Sequence, residues 1–257
     1  MKILITGLLF GMALYAGELE DDTKLCANGD MVGCYDLGVD YRDGIETTAD
    51  NQKAIKYFKI ACDNGIVEGC YNVGTHYLHG LGVKKDMNKA KSYFVKACEN
   101  DYGIACHALG VMETKGSKKF PLMDRYFTKA CELDSPLGCM MAGMMYHDPS
   151  IGHVDMKKAS SFYLKACKLG NASSCNSIGV FYEVGKVLKK DINQAKEFYN
   201  KACEGGYASG CTNLATLYAF GRGVKKDIPI AIKLFKQACD GGSPRGCKGY
   251  KIFKEEK

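Results

Sequence analysis

Fourteen cysteines and five histidines are the residues of this 257-residue chain with the most distinctive chemistry. The cysteines fall into seven Cys-x7-Cys pairs with none left over: Cys26/Cys34, Cys62/Cys70, Cys98/Cys106, Cys131/Cys139, Cys167/Cys175, Cys203/Cys211 and Cys239/Cys247. Zinc would call for Cys-x2-Cys spacing and more histidine, and neither is present. An even cysteine count behind an export-type leader points instead to disulfides formed in an oxidising compartment. On one continuous helix, residues eight apart would lie about 12 Å from each other. A disulfide needs Cα atoms within about 7 Å. The chain must therefore turn back between partners, and Asp63-Asn64-Gly65, Leu169-Gly170-Asn171, Glu204-Gly205-Gly206 and Asp240-Gly241-Gly242 are helix-stop and turn sequences. Each pair is expected to staple the end of one helix to the start of the next, contributing about 2.5 kcal/mol on the chain-entropy model.

Other chemistry is poorly served. Ser-x-x-Lys, Ser-Asp-Asn, Lys-Thr-Gly, Gly-x-Ser-x-Gly, His-Glu-x-x-His and the P-loop are all absent. His76 and His79 stand at i, i+3 and could share a metal, but two ligands do not make a site, and two solvated histidines are the plainer expectation. No cofactor is expected. Gly80-Leu81-Gly82 and Gly221-Arg222-Gly223 are loop glycines with no strand before them. The net charge of +6 is spread along the chain, with nothing longer than Lys84-Lys85, Lys189-Lys190 and Lys225-Lys226, so nucleic acid is not indicated.

The elements that must position the cysteines follow from their period. The step between pairs is 36 residues everywhere except from Cys98 to Cys131, where it is 33. Such a period marks a repeat array. Six repeats are expected at 30–65, 66–101, 102–134, 135–170, 171–206 and 207–242, with a partial unit at 17–29 and a C-terminal helix at 243–257 as caps. Each repeat reads as two antiparallel helices. Asp50, Asp86, Asp155, Asp191 and Asp227 stand 12 residues before the closing cysteine, where they can cap the second helix. In repeat three Lys119 takes that place, and Phe120-Pro121 must start the helix instead.

Residues 1–16 resemble a secretory signal peptide: Met1-Lys2, then an apolar run over 3–15. Cleavage is expected after Ala16, with Ala13 as the alternative; a buried first helix and a retained anchor are the competing interpretations. The mature chain would be secreted or periplasmic, monomeric, and without an integral membrane segment.

Units of the form Ala-x-x-x-(Tyr/Phe)-(Phe/Tyr)-x-Lys-Ala-Cys, then Gly-Cys-x-x-(Leu/Val)-Gly-x-x-Tyr and Gly-x-Gly-Val-x-Lys-Asp, resemble Sel1-like repeats, relatives of the tetratricopeptide repeat. The cysteine pair in every unit resembles one branch of these, the Helicobacter cysteine-rich proteins. The resemblance implies an all-α, right-handed α/α superhelix (solenoid), each helix pair tied by a disulfide. It also implies penicillin binding with slow beta-lactamase activity, or binding of host or cell-wall components.

Comparing the copies within this chain separates uniform from variable columns. Three, four and seven residues after the first-helix cysteine the residues are apolar, small or tyrosine, with Glu113 the one departure, as a core requires. The columns two, six and nine residues after it vary, and in helix-pair solenoids the first helices line the concave side. Asn72, His76, Met112, Met141, Met145, Phe181, Asn213 and Leu217 are therefore expected to line a groove for a protein, peptide or cell-envelope ligand. The methionines would supply an adaptable apolar surface, with Asn72 and Asn213 as amide clamps. In the competing interpretation Met140, Met141, Met144 and Met145 fill a core around the shortened repeat.

Overall fold

The computed structural model describes residues 18–115, 120–151 and 153–255; the leader at 1–16 and Lys119 lie outside them. The described residues form fourteen α-helices and no strand. They are α1 (Glu18–Ala27), α2 (Met31–Asp43), α3 (Asn51–Asp63), α4 (Val67–His79), α5 (Met87–Glu99), α6 (Gly103–Lys115) and α7 (Phe120–Glu132). Then follow α8 (Pro136–His147), α9 (Met156–Lys168), α10 (Ala172–Val184), α11 (Ile192–Glu204), α12 (Ala208–Phe220), α13 (Ile228–Asp240) and α14 (Pro244–Glu255). None of these helices is long and apolar enough to cross a membrane. The chain divides into two compact units, one ending at Leu109 and one beginning at Gly110.

Helix boundaries follow the local chemistry. Asp50 Oδ1 accepts the N–H groups of Gln52 and Lys53, each at 3.0 Å. Asp86, Asp155 and Asp191 cap α5, α9 and α11 in the same way, and Asp227 caps α13 through the Ile230 N–H alone, Pro229 having none to give. These bonds satisfy N–H groups that a helix start leaves without partners. Gly44, Gly80, Gly185 and Gly221 end α2, α4, α10 and α12 with φ of 73°, 75°, 76° and 66°, where a side chain would be strained. In the shortened repeat α7 does start at Phe120.

All seven cysteine pairs are bonded as the spacing leads one to expect, each joining the end of one helix to the start of the next. In the first unit Cys26–Cys34, Cys62–Cys70 and Cys98–Cys106 have Cα atoms 4.4, 4.5 and 4.8 Å apart. In the second, Cys131–Cys139, Cys167–Cys175, Cys203–Cys211 and Cys239–Cys247 have them 4.3, 4.7, 4.5 and 4.3 Å apart. Cys34, Cys106 and Cys175 are buried, whereas Cys247, in the last helix, is half-buried.

The core repeats with the sequence. In the first unit Phe58 of α3 lies under Gly38 of α2, where an added Cβ would come within 2.7 Å of the ring. Gly74 and Phe94 repeat the contact one turn of the pattern later, at 2.6 Å. In the second unit Gly110/Phe127, Gly143/Tyr163 and Gly179/Tyr199 do the same. The small column is thus a packing requirement: glycine, or in the last repeat Ala215 beside Phe235, lets the two helices of a repeat close over one aromatic ring.

Candidate binding groove

The column six residues after the first-helix cysteine is buried at four of the eight candidate residues, which corrects the expectation for them; Met112 of the same column is half-buried. His76 is 1% exposed, Met145 1%, Phe181 6% and Leu217 0%. Each covers the far side of the aromatic residue that the preceding repeat places under its own glycine. The His76 ring meets Phe58 edge-on with centroids 5.6 Å apart, and Phe181 lies 6.1 Å from Tyr163. Met145 shares a core cluster with Phe127, and Leu217 with Tyr199. α10 packs against α9, α11 and α12, and its sixth-position Phe181 is enclosed between repeats. The His76/His79 pairing dissolves for the same reason. His76 is buried with Nδ1 2.9 Å from the Leu81 carbonyl, while His79 is exposed.

The other four candidates divide. Asn72 is 9% exposed and Met112, Met141 and Asn213 are half-buried. Of the methionines, Met141 packs against the same core cluster as Met145, and Met140 flanks the Cys131–Cys139 bond. Core filling therefore describes most of the methionine run; Met144 is 47% exposed.

What the helix columns left unread are positions one, five and eight after the cysteine. In the second unit these converge with the starts of the next two first helices on a groove of about 480 Å³. Asn176, Val180 and Glu183 come from α10, Thr212 and Asn213 from α12, and Ser243 and Arg245 from the start of α14, with Tyr199 of α11 behind. Cross-repeat hydrogen bonds build its floor. Asn213 Nδ2 donates to Asn176 Oδ1 at 2.8 Å, and the Thr212 and Ser243 hydroxyls are 2.9 Å apart. Glu183 is fixed twice: Tyr199 donates its hydroxyl to Oε2 at 2.6 Å, and Arg222 Nη1 donates to Oε1 at 2.8 Å. Burial, reinforced by that carboxylate, raises the Tyr199 phenol far above its ordinary range, so it stays protonated and keeps donating. Asn176, Val180 and Val184 follow at four-residue spacing on α10, but Thr212 and Asn213 come from α12, so only a comparison across the repeat boundary would have found this groove.

The Asn176–Asn213 bond uses one donor and one acceptor of the pair. Among the described residues no hydrogen bond engages the Asn176 Nδ2 group or the Asn213 Oδ1 atom. One amide donor and one amide acceptor therefore face the groove side by side, and exchanging the two amide orientations leaves the same complement. That is the hydrogen-bonding complement of one peptide unit. A second, smaller pocket of about 240 Å³ on the second unit is lined by Met144, His147, Asp148, Pro149 and Tyr163. Among the described residues no three His, Cys, Asp or Glu side chains cluster to hold a metal, and no cysteine is free.

Stacked helix pairs of fixed period, each closed by a disulfide and offering a first-helix groove, define a helical-repeat scaffold. The Sel1 repeat profile matches residues 32–66, 67–102, 136–171, 172–207 and 208–243, and the chain belongs to the Sel1 repeat family. It is similar to c5321, a protective antigen present in uropathogenic Escherichia coli strains and displaying this repeat fold. That match has 25% identity and a TM-score of 0.80 over 92% of this chain and 52% of the antigen, so the chain spans about half the antigen's length. A Sel1 repeat protein from Oxalobacter formigenes is 24% identical with a TM-score of 0.72, covering 86% of this chain and 99% of its own. The Helicobacter pylori cysteine rich protein B is 34% identical over 52% of this chain and 96% of its own, with a TM-score of 0.43. No curated protein matches the chain in sequence.

Proposed function

We propose that the chain is an exported, monomeric scaffold that binds an extended peptide in the groove of its second unit. On this proposal it is cut after Ala16, and repeats over 30–242 are closed by caps at 17–29 and 243–257. The observation that carries the binding role is the amide donor and acceptor of Asn176 and Asn213, set side by side over a floor already satisfied by its own hydrogen bonds. A peptide backbone presents the matching C=O and N–H, and Val180 and Val184 beside them would take an apolar side chain. The bracing of Glu183 by Tyr199 and Arg222 supports a groove that is set before the ligand arrives, which lowers the ordering cost of binding. The seven disulfides are consistent with an oxidising compartment.

The test is selection of a displayed random-peptide library on the oxidised full chain, followed by titration of a selected peptide against Asn176→Ala, Asn213→Ala and the double variant. Each single change should weaken binding by about tenfold, the value of one or two lost hydrogen bonds in a desolvated groove. Equal affinity for wild type and double variant would refute the groove. Turnover of a chromogenic penicillin that co-purifies with the folded chain would instead favour the hydrolase that the family resemblance implies.

A further inference from the structure

The exposed thioether on α8 has no part in the core and none in the amide groove. Met144 is 47% exposed at the fifth position after Cys139, and His147 is exposed three residues further on. Both line the 240 Å³ pocket beside Asp148 and Tyr163. One turn before Met144 on the same face is Met140, half-buried, with Sδ 3.3 Å from the Ser173 hydroxyl of α10. The spacing i, i+4, i+7 stacks the three side chains along one stripe, with Cβ atoms of neighbours about 5–6 Å apart. Met141 and Met145 pack on the core cluster around Phe127 and Met140 packs beside the Cys131–Cys139 bond, so Met144 is the one of the four that lines the pocket.

We propose that Met144 and His147, which line the pocket, bind copper(I), with Met140 one turn back supplying the third ligand when its thioether turns from the Ser173 hydroxyl. Thioether sulfur is a soft, polarisable donor that selects copper(I) over calcium, magnesium or zinc, and imidazole is compatible with it. Flexible methionine side chains adapt to a three-coordinate ion without moving the helix. All fourteen cysteines are held in disulfides, so the thioethers are the soft sulfur ligands this chain has to offer. Nδ1 of His147 lies 3.4 Å from the Tyr163 hydroxyl. A metal on Nε2 places the ring proton on Nδ1, which then donates to that oxygen and fixes the ring. The Asp148 carboxylate on the same pocket favours a cation.

Copper(I), held by bicinchoninate under anaerobic conditions, is titrated with the oxidised full chain. One equivalent should transfer to the protein, and Met144→Leu and His147→Ala should each weaken uptake at least tenfold. Met87→Leu, which removes a 43% exposed methionine of the first unit, should leave it unchanged. In parallel, silver(I) as a redox-inert probe should shift the methyl resonances of Met140 and Met144 in the wild-type chain and leave that of Met145 in place. No transfer from bicinchoninate, or transfer that survives both α8 substitutions, would overturn the site. So would silver shifts spread over all methionines, and that measurement needs no variant to fold.

Discussion

Asn72 and Asn213 occupy the same position of the first helix, two residues after the cysteine, in the first and second units. In the first unit Asn72 is saturated: Arg42 donates to its Oδ1 at 3.3 Å, and its Nδ2 donates to the Glu68 carbonyl at 3.0 Å and reaches the Tyr35 hydroxyl at 3.5 Å. In the second, Asn213 spends one hydrogen on Asn176 and keeps its carbonyl for the groove. The difference lies in the preceding repeat. Where Asn72 finds Tyr35 and Arg42, the corresponding residues before Asn213 are Asn176 and Glu183, and Glu183 is already held by Tyr199 and Arg222. The same residue in the same register is thus a structural bracket in one unit and a recognition group in the other. A column of a repeat acquires its role from its neighbours across the repeat boundary.

The scaffold beneath that contrast should be equal in the two units. Cys62–Cys70 and Cys203–Cys211 both have Cα atoms 4.5 Å apart and buried sulfur. Replacing either pair by Ala should cost about 2.5 kcal/mol in denaturant unfolding, with hydrogen exchange rising first in the two helices the bond joins. Losses that differ between the units by more than about 1 kcal/mol would mean that the repeats are not equivalent frames.

The asparagines should then separate. Asn72→Ala removes partners from Arg42 and from the Glu68 carbonyl, and should cost about 1–2 kcal/mol. Asn213→Ala, at a half-exposed position, should cost no more than about 0.5 kcal/mol while weakening peptide binding. The reverse order of the two stabilities would remove the distinction between bracket and recognition group.

Acid should act on the first unit through one buried and one half-buried imidazole. Burial lowers His76, with Arg42 adding to the effect against the opposing Leu81 hydrogen bond, and burial alone lowers His107. Both are therefore neutral in the fold to a lower pH than in the unfolded chain. Their stabilising contribution is full above the ordinary imidazole value of about 6.5 and falls as the pH drops through it, because the unfolded chain takes up the proton first. Hydrogen exchange at pH 7.5 and 5.5 should show α4 losing protection on acidification. His76→Leu, which copies Leu217 of the same column, should reduce that loss; an unchanged loss would place the pH dependence elsewhere.

What the sequence made legible is what depends on one repeat at a time. The cysteine spacing predicts the disulfides, from Cys26–Cys34 at one end to Cys239–Cys247 at the other, the aspartates predict the helix starts, and the glycine and aromatic columns predict the helix crossing. Each is a local or within-repeat requirement. The sixth-position column was misassigned because His76, Met145, Phe181 and Leu217 are enclosed by the preceding repeat, and their side chains are too varied to announce a core. Variability at a buried site reflects the one-to-one matching of a side chain to the ring it covers, histidine on Phe58 and phenylalanine on Tyr163. The groove was missed for a related reason: the Asn176–Asn213 bond crosses 37 residues, and no periodicity within a helix encodes it.

The smallest contrast lies in the residue before each first-helix cysteine, which is Gly33, Gly69 and Ala105 in the first unit and Gly138, Ser174, Gly210 and Gly246 in the second. At Gly138 and Gly210 an added Cβ would come within 2.5 Å of Ala130 and Ala202, so this is a place of close approach. Ser174 is fully buried there and its hydroxyl has no hydrogen-bond partner, although its backbone N–H is capped by Asn171 at 2.9 Å. A buried hydroxyl left without a partner forfeits its hydration for nothing in return. Ala105 shows that the register accepts a methyl group. Ser174→Ala should therefore stabilise the second unit by about 1 kcal/mol, read as a higher denaturant midpoint at unchanged slope. A loss of stability instead would mean that the hydroxyl is bonded in solution, and that the second unit is as fully satisfied at this crossing as the first is at Ala105.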